Sequence, residues 1–249
     1  MPQENILHYR ILRPRAWTLR GPHTPEALEL LKGVLARDDL TPALRSHALR
    51  MRAVNLSYAG DDSAGIKDLQ DAIRLDPASP FNHIYLGISF REQGRFDEAA
   101  DAMRQAAAID PDVPGFQIEL ASALRLAGRG AESLVLLARL CESDTLLEPC
   151  AQYARGLLDA GRRGEALLVA RKAEGLEGAG TGYYDLACFW AVAGDRARAL
   201  RMLREALNRG MDPQEADPAA EKDFTSLRAD PDFKAITREL ARRRAPAPR

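Results

Sequence analysis

Apolar and small residues recur at helical spacing along most of this chain, in paired stretches parted by a single glycine. Gly60, Gly94, Gly128, Gly161 and Gly194 stand 34, 34, 33 and 33 residues apart. Each lies between two Ala- and Leu-rich stretches whose apolar positions return every three to four residues, the period of an α-helix. Seven residues before each glycine stands a small residue: Ala53, Gly87, Ala121, Ala154 or Ala187. Five after it come Gly65, Ala99, Ser133, Ala166 and Ala199, and twelve after it Ala72, Ala106, Leu140, Ala173 and Ala206. Asp-Pro steps punctuate the ends at Asp76-Pro77, Asp110-Pro111 and Asp212-Pro213.

This pattern predicts an all-α stack of helical hairpins. Glycine adopts the left-handed backbone that ends one helix and turns into the next. Small residues let paired helices approach closely. Larger side chains fill the remaining space: Leu86, Phe90 and Met103 in one unit, Leu120, Leu124 and Leu137 in the next, Leu186, Trp190 and Leu203 in the last. Proline drives the residue before it out of the helical region and marks the boundary. A single hairpin cannot bury both its faces, whereas stacked hairpins can.

The segment Pro80–Val113 carries an LG step at Leu86-Gly87, then Phe90, Gly94, Phe96, Ala99, Ala106 and Pro111. With this set it resembles the tetratricopeptide repeat (TPR). Units beginning near Ser46, Pro114, Leu147 and Gly180 follow the same pattern more loosely. Arg52 and Leu140 depart from it, and slacker packing is expected around residues 138–150. The resemblance implies a right-handed superhelical solenoid of antiparallel hairpins, of the kind found in bacterial TPR arrays. It divides the chain into an N-terminal arm plus degraded half-repeat (1–41), five TPR units (42–213), a capping segment (214–240) and a disordered tail (241–249).

The ends carry their own signals. Thr24-Pro25-Glu26 is a helix start, with Thr as N-cap and Pro at the first helical position. The helix it opens, Pro25–Arg37, resembles the second helix of a degraded repeat. Leu7–Leu19, interrupted by Pro14, reads as a short helix or an extended arm. The stretch Asp223–Phe233 looks like a motif that closes bacterial TPR arrays. Phe224, Leu227, Phe233 and Ile236 would dock on the last hairpin, with the acidic and Pro residues facing water. Ala241–Arg249 is basic and Pro-containing.

The resemblance also implies where a partner binds, because the first helix of each TPR hairpin lines a groove. By that analogy the groove holds Arg50, Tyr58, Phe81, Ile84, Ile88, Arg91, Ile118, Arg125 and Arg155, with His47, Val54, Ser122, Ala151, Leu158, Tyr184 and Cys188 beside them. Phe81, Ile84, Ile88 and Ile118 would form an exposed apolar strip, and such strips are interaction sites. Arg50, Arg91, Arg125 and Arg155 would run along it, and guanidinium groups bind carboxylates through paired, charge-assisted hydrogen bonds. The implied partner is a protein or peptide with apolar and acidic residues, an amphipathic helix or an extended tail. The family's clamp for chaperone tails uses Lys and Asn where this chain has Arg50, Val54, Ile84 and Ile88. A chaperone-tail adaptor is therefore not expected.

Composition narrows the classes of function. Hydrophobic residues are 46% and charged residues 29% of the 249, the balance of a soluble globular chain. Thirty-five basic and 36 acidic residues leave a net charge of -1, which disfavours a polyanionic partner. No apolar run approaches the roughly 20 residues of a membrane span. The N-terminus lacks the apolar core of a secretion signal. Cys141, Cys150 and Cys188 are too few for a disulfide framework. They read as thiols in the core, which makes a reducing cytoplasm the simplest compartment. No metal spacing, phosphate loop or nucleophile signature is present, so neither cofactor nor catalysis is expected. The leading reading is a non-enzymatic adaptor or scaffold. The alternatives are a nucleic-acid-binding helical repeat and a module that senses a signal or ligand.

Overall fold

The computed structural model describes residues 24–143, 146–211 and 217–244. The expectations for residues 1–23 and for the end of the basic tail lie outside them. The five glycines at which the sequence turns all have positive φ, from 73° to 84°. At Gly94 the closing geometry is explicit: its N–H donates to the Arg91 carbonyl at 3.0 Å, and the Arg95 N–H donates to the Phe90 carbonyl at 2.9 Å. These two bonds satisfy carbonyls that the helix end leaves without a helical partner. A β-carbon in this left-handed backbone would raise the energy by about 1–2 kcal/mol.

Before each turn lies a first helix and after it a second, and the chain falls into two compact units meeting at Ser133/Leu134. The first unit begins with α1 (Thr24–Leu35). Its hairpins are α2 (Pro42–Tyr58) with α3 (Asp62–Leu75), and α4 (Pro80–Glu92) with α5 (Phe96–Ile109). Next come α6 (Pro114–Leu126) and the start of α7 (Gly130–Ser143). The second unit holds the rest of α7, the pair α8 (Leu147–Asp159) and α9 (Arg163–Ala173), and the pair α10 (Gly180–Ala193) and α11 (Arg196–Asn208). A 3-10 helix, Lys222–Leu227, and α12 (Pro231–Arg244) complete it. Among the described residues there is no strand, only an isolated bridge between Leu146 and Glu177. The fold is an all-α helical-repeat solenoid by class.

The small residues do what their spacing implies. Ala53, Ala121, Ala154 and Ala187 are buried, as are Ala99, Ala166 and Ala199, and then Ala72, Ala106, Ala173 and Ala206. Ser133, which interrupts the second series, donates its hydroxyl to the Ala121 carbonyl across the helix contact at 2.7 Å. Asn82, completely buried on α4, joins the first two hairpins. Its amide nitrogen lies 2.9 Å from Ser46 Oγ, 3.2 Å from the Ala72 carbonyl and 3.1 Å from the Asp76 carbonyl. A buried amide persists only when its bonds are made, and here they bind the last turn of α3.

Three expectations need correction. Around residues 138–150 the described residues include a tightly packed one within the second unit. Leu147 is completely buried, against the space left by the missing side chains of Gly178 and Gly182. Cys141 and Cys150 are not thiols; they form a disulfide. One closes α7 and the other opens α8, so the short connection brings their Cα atoms to 4.8 Å, within bridging range. The case for a reducing compartment rested on thiols, and the disulfide removes that support. Finally, α12 continues to Arg244, so the tail is helical further than expected.

Candidate partner-binding faces

In the first unit the first helices α2, α4 and α6 lie alongside one another. This packing changes the apolar strip. Ile118 is 2% exposed and Ile84 is 9% exposed, so both belong to the interior. Phe81 and Ile88 are half-buried, and Phe81 meets the ring of Phe116 edge-on at 5.7 Å. The expected exposed strip is thus largely interior: neighbouring first helices approach closely enough to bury each other's facing side chains. Tyr58 and Val54 are half-buried on α2 and Ser122 on α6, while His47 is exposed.

The arginines divide into two kinds. Arg91 donates to Glu119 Oε2 at 2.9 Å, with side chains 22% and 6% exposed. It is an interior ion pair between α4 and α6 rather than an open hook. Arg50 is half-buried, and its contacts are neutral. Its Nη1 donates to Asn82 Oδ1 at 2.9 Å and to Ser79 Oγ at 3.3 Å, its Nη2 lies 2.7 Å from His47 Nδ1, and the guanidinium sits 5.7 Å from the Phe81 ring centre. No carboxylate among the described residues pairs with it. Burial pulls the Arg50 pKa down, opposed by Tyr85 and Asp76. Burial also lowers the His47 pKa, and Arg50 adds to that. Arg125 is exposed.

In the second unit the first-helix face consists of α8 and α10, and it is occupied. The 3-10 helix Lys222–Leu227 lies against α10. Asp223 accepts a fork from Arg155 of α8: Nη2 donates to Oδ1 at 3.1 Å and Nη1 to Oδ2 more closely. Arg155 Nε donates to Asp159 at 3.0 Å. Burial opposes the Arg155 charge, but its bonds to Asp223 and Asp159 outweigh it and hold the guanidinium protonated. Phe224 is completely buried, its ring 5.8 Å from Tyr184 and 5.5 Å from Phe233. Burial pushes the Tyr184 hydroxyl and the Cys188 thiol well above their ordinary pKa. Ala151 is buried and Leu158 half-buried on the same face.

Phe224, Leu227, Phe233 and Ile236 are buried, at 0% to 5% exposure. The acidic residues around them do not simply face water, because Asp223 pairs with Arg155, and Asp230 and Asp232 pair with Arg196. No local pattern connects Asp223 to Arg155, which lies 68 residues away. The repeat phase placed Arg155 on this face but said nothing about what would cover it. Among the described residues no cluster of His, Cys, Asp and Glu could hold a metal, and no helix is long and apolar enough to cross a membrane.

The tetratricopeptide repeat family profile matches residues 50–114 and again residues 90–155. Residues 50–155 are tetratricopeptide repeats. Solved structures of low sequence identity share the TPR fold. A tetratricopeptide repeat protein from Parabacteroides merdae is 13% identical, with a TM-score of 0.58 over 94% of this chain and 81% of that one. Repeats from a putative kinesin light chain of Podosopora anserina are 20% identical, with a TM-score of 0.55 over 70% and 96%. A thermophilic TPR protein of Thermus thermophilus is 18% identical, with a TM-score of 0.53 over 74% and 97%. No curated protein matches the sequence.

Proposed function

We propose that this TPR protein is a non-enzymatic scaffold whose first unit takes a partner protein segment on the first-helix face, with Arg50 as its charged anchor. The TPR fold supports protein–protein interaction in general. The observation that carries the finer reading is the environment of Arg50. Its guanidinium is half-buried, set against an aromatic ring and hydrogen-bonded, among the described residues, to the neutral groups of Asn82 and Ser79, with the Asp76 carboxylate favouring its charge from further off. A cation held in this way gains from an incoming carboxylate more than a freely solvated one does, because less water screens the contact. Phe81 and Ile88 supply modest apolar contact beside it. The partner that fits is a segment with an acidic group and small apolar anchors.

The nucleic-acid alternative draws less support. Binding a polyanion needs several free cations along one face. Arg91 and Arg155 are already neutralised by Glu119 and by Asp159 and Asp223. The test is affinity capture from native lysate with the full chain and with an Arg50→Glu, Arg125→Glu double variant whose helix content is checked by circular dichroism. A partner retained by the wild type and lost by the folded double variant is the expected result. Equal retention by both would refute the role given to Arg50.

A further inference from the structure

The second unit differs from the first in what lies on its first-helix face. There the chain's own segment supplies an acidic side chain to an arginine fork and an aromatic to a neighbouring tyrosine, with an aliphatic anchor three residues on. Asp223 on Arg155, Phe224 beside Tyr184 and buried Leu227 make one continuous contact. The contact joins two first helices, α8 through Arg155 and α10 through Tyr184, rather than extending the second-helix layer. Thr225 and Ser226 between the anchors are exposed. The two apolar anchors stand three residues apart, one turn of the 3-10 helix, so they share its inward face while the residues between them meet solvent.

We propose that the α8–α10 face is a peptide-binding surface held shut by residues 221–227, and that the partner it fits is a peptide with an acidic residue, an aromatic directly after it and an aliphatic three residues beyond the aromatic. The segment acts as a tethered competitor. A tether gives it a local concentration of the order of millimolar, so an incoming peptide binds only during the fraction of time the segment is away. Apparent affinity falls in proportion to that fraction. The Arg155 fork reads the acid, and the ring pocket beside Tyr184 reads the aromatic. This inference concerns the second unit alone, and a defined probe keeps its failure separate from the failure of the Arg50 reading.

The probe is a fluorescein-labelled synthetic peptide of residues 217–230, added to the full chain and followed by fluorescence polarisation. Asp223→Arg sets two guanidinium groups against each other and releases the segment. Peptide affinity should rise about tenfold, as for a face freed from nine-tenths occupancy. Adding Arg155→Asp to that variant rebuilds the pair in the opposite sense, so binding of the parent peptide should fall back. Arg155→Asp alone should bind a peptide with Arg at the place of Asp223 and should lose the parent peptide. If Asp223→Arg does not fold, this last variant tests the same contact from the α8 side. Equal binding by wild type and Asp223→Arg, or no binding by any variant, overturns the proposal. Loss of helix signal in both single variants also overturns it, since the segment would then be part of the core and not a displaceable ligand.

Discussion

Gly87 lies where α4 crosses α5, and filling its place tests the hairpin contact directly. A β-carbon there would stand 2.7 Å from Met103 Cγ, 3.1 Å from Met103 Cε and 3.2 Å from the Ala99 carbonyl oxygen. Carbon atoms prefer about 3.5–4.0 Å, so Met103 would have to retreat by roughly 0.8 Å. Met103 is 0% exposed, which leaves it no open side to move into. Overpacking of this kind costs about 1–3 kcal/mol. Replacing a mid-helix glycine with alanine returns about 1 kcal/mol of helix propensity. Gly87→Ala should therefore destabilise the first unit by about 1 kcal/mol net, and Gly87→Leu by about 3 kcal/mol or more. Urea unfolding followed by far-UV circular dichroism measures the change, and hydrogen exchange in α4 and α5 locates it. Met103→Ala should relieve the clash, so the double variant should lose less than the two single losses summed, by about 0.5–3 kcal/mol of coupling. Stabilisation by Gly87→Ala with additive behaviour would mean that α4 and α5 do not meet here, and the small-residue reading of the repeat would be refuted.

Other residues give sharper contrasts. Arg91→Glu places a second carboxylate beside buried Glu119 and should destabilise by about 3–5 kcal/mol, whereas exposed Arg125→Glu should leave the unfolding free energy from urea titration within about 0.5 kcal/mol of wild type. Thiol titration of the unfolded, unreduced chain should find one thiol, Cys188, and reduction of Cys141–Cys150 should lower stability by about 2–3 kcal/mol for a loop of this length; three thiols without reductant would refute the pairing. Asp195→Ala removes the cap of α11, where the carboxylate accepts from the Arg198 N–H at 3.0 Å, and should lose about 1 kcal/mol. That backbone bond and the Arg198 side chain hold the Asp195 pKa below the ordinary carboxylate range, so its contribution is present at neutral pH and disappears as acid protonates it. The variant should therefore lie closest to wild type at the acid end of pH-titrated melting curves, where Asp195 is protonated in both the folded and unfolded states.

The hairpin plan was legible because its determinants are local. A left-handed turn needs glycine whatever surrounds it, and all five spaced glycines are left-handed. A close helix crossing needs a small residue, and the alanines at fixed distances from those glycines are buried. What was not legible depends on how helices are set against one another. Ile84 and Ile118 occupy groove positions by phase, yet adjacent first helices bury them. Glu119, the partner of Arg91, lies 28 residues on and belongs to a different helix. Cys141 and Cys150 are nine residues apart, a separation that permits a bridge without requiring one. Which residues meet across a turn of this length is decided by the helix ends.

The arginines diverge according to what each meets, and for one of them that is a position recurring in each first helix. Counting from Pro80, Pro114, Leu147 and Gly180, the sixth places hold Tyr85, Glu119, Gln152 and Asp185. In the first unit Glu119 receives Arg91, and in the second Asp185 accepts from Gln152 Nε2 at 3.2 Å. At Glu119 and Asp185 the sixth place carries a polar contact from the preceding first helix, and for Arg91 that contact is a carboxylate. Arg50, which reaches the next first helix at Asn82, meets an amide and a hydroxyl rather than a carboxylate. Its guanidinium is oriented by these neutral groups, with Asp76 favouring its charge without a direct bond. On the second unit Arg155 is cancelled by Asp223, which comes from outside the repeats altogether. The period therefore sets where a guanidinium stands, while its partner comes from the next first helix for Arg91 and from beyond the repeats for Arg155. By that criterion the hydrogen bonds of Arg50 among the described residues go to neutral groups, whereas Arg155 is paired with a carboxylate from residues 221–227.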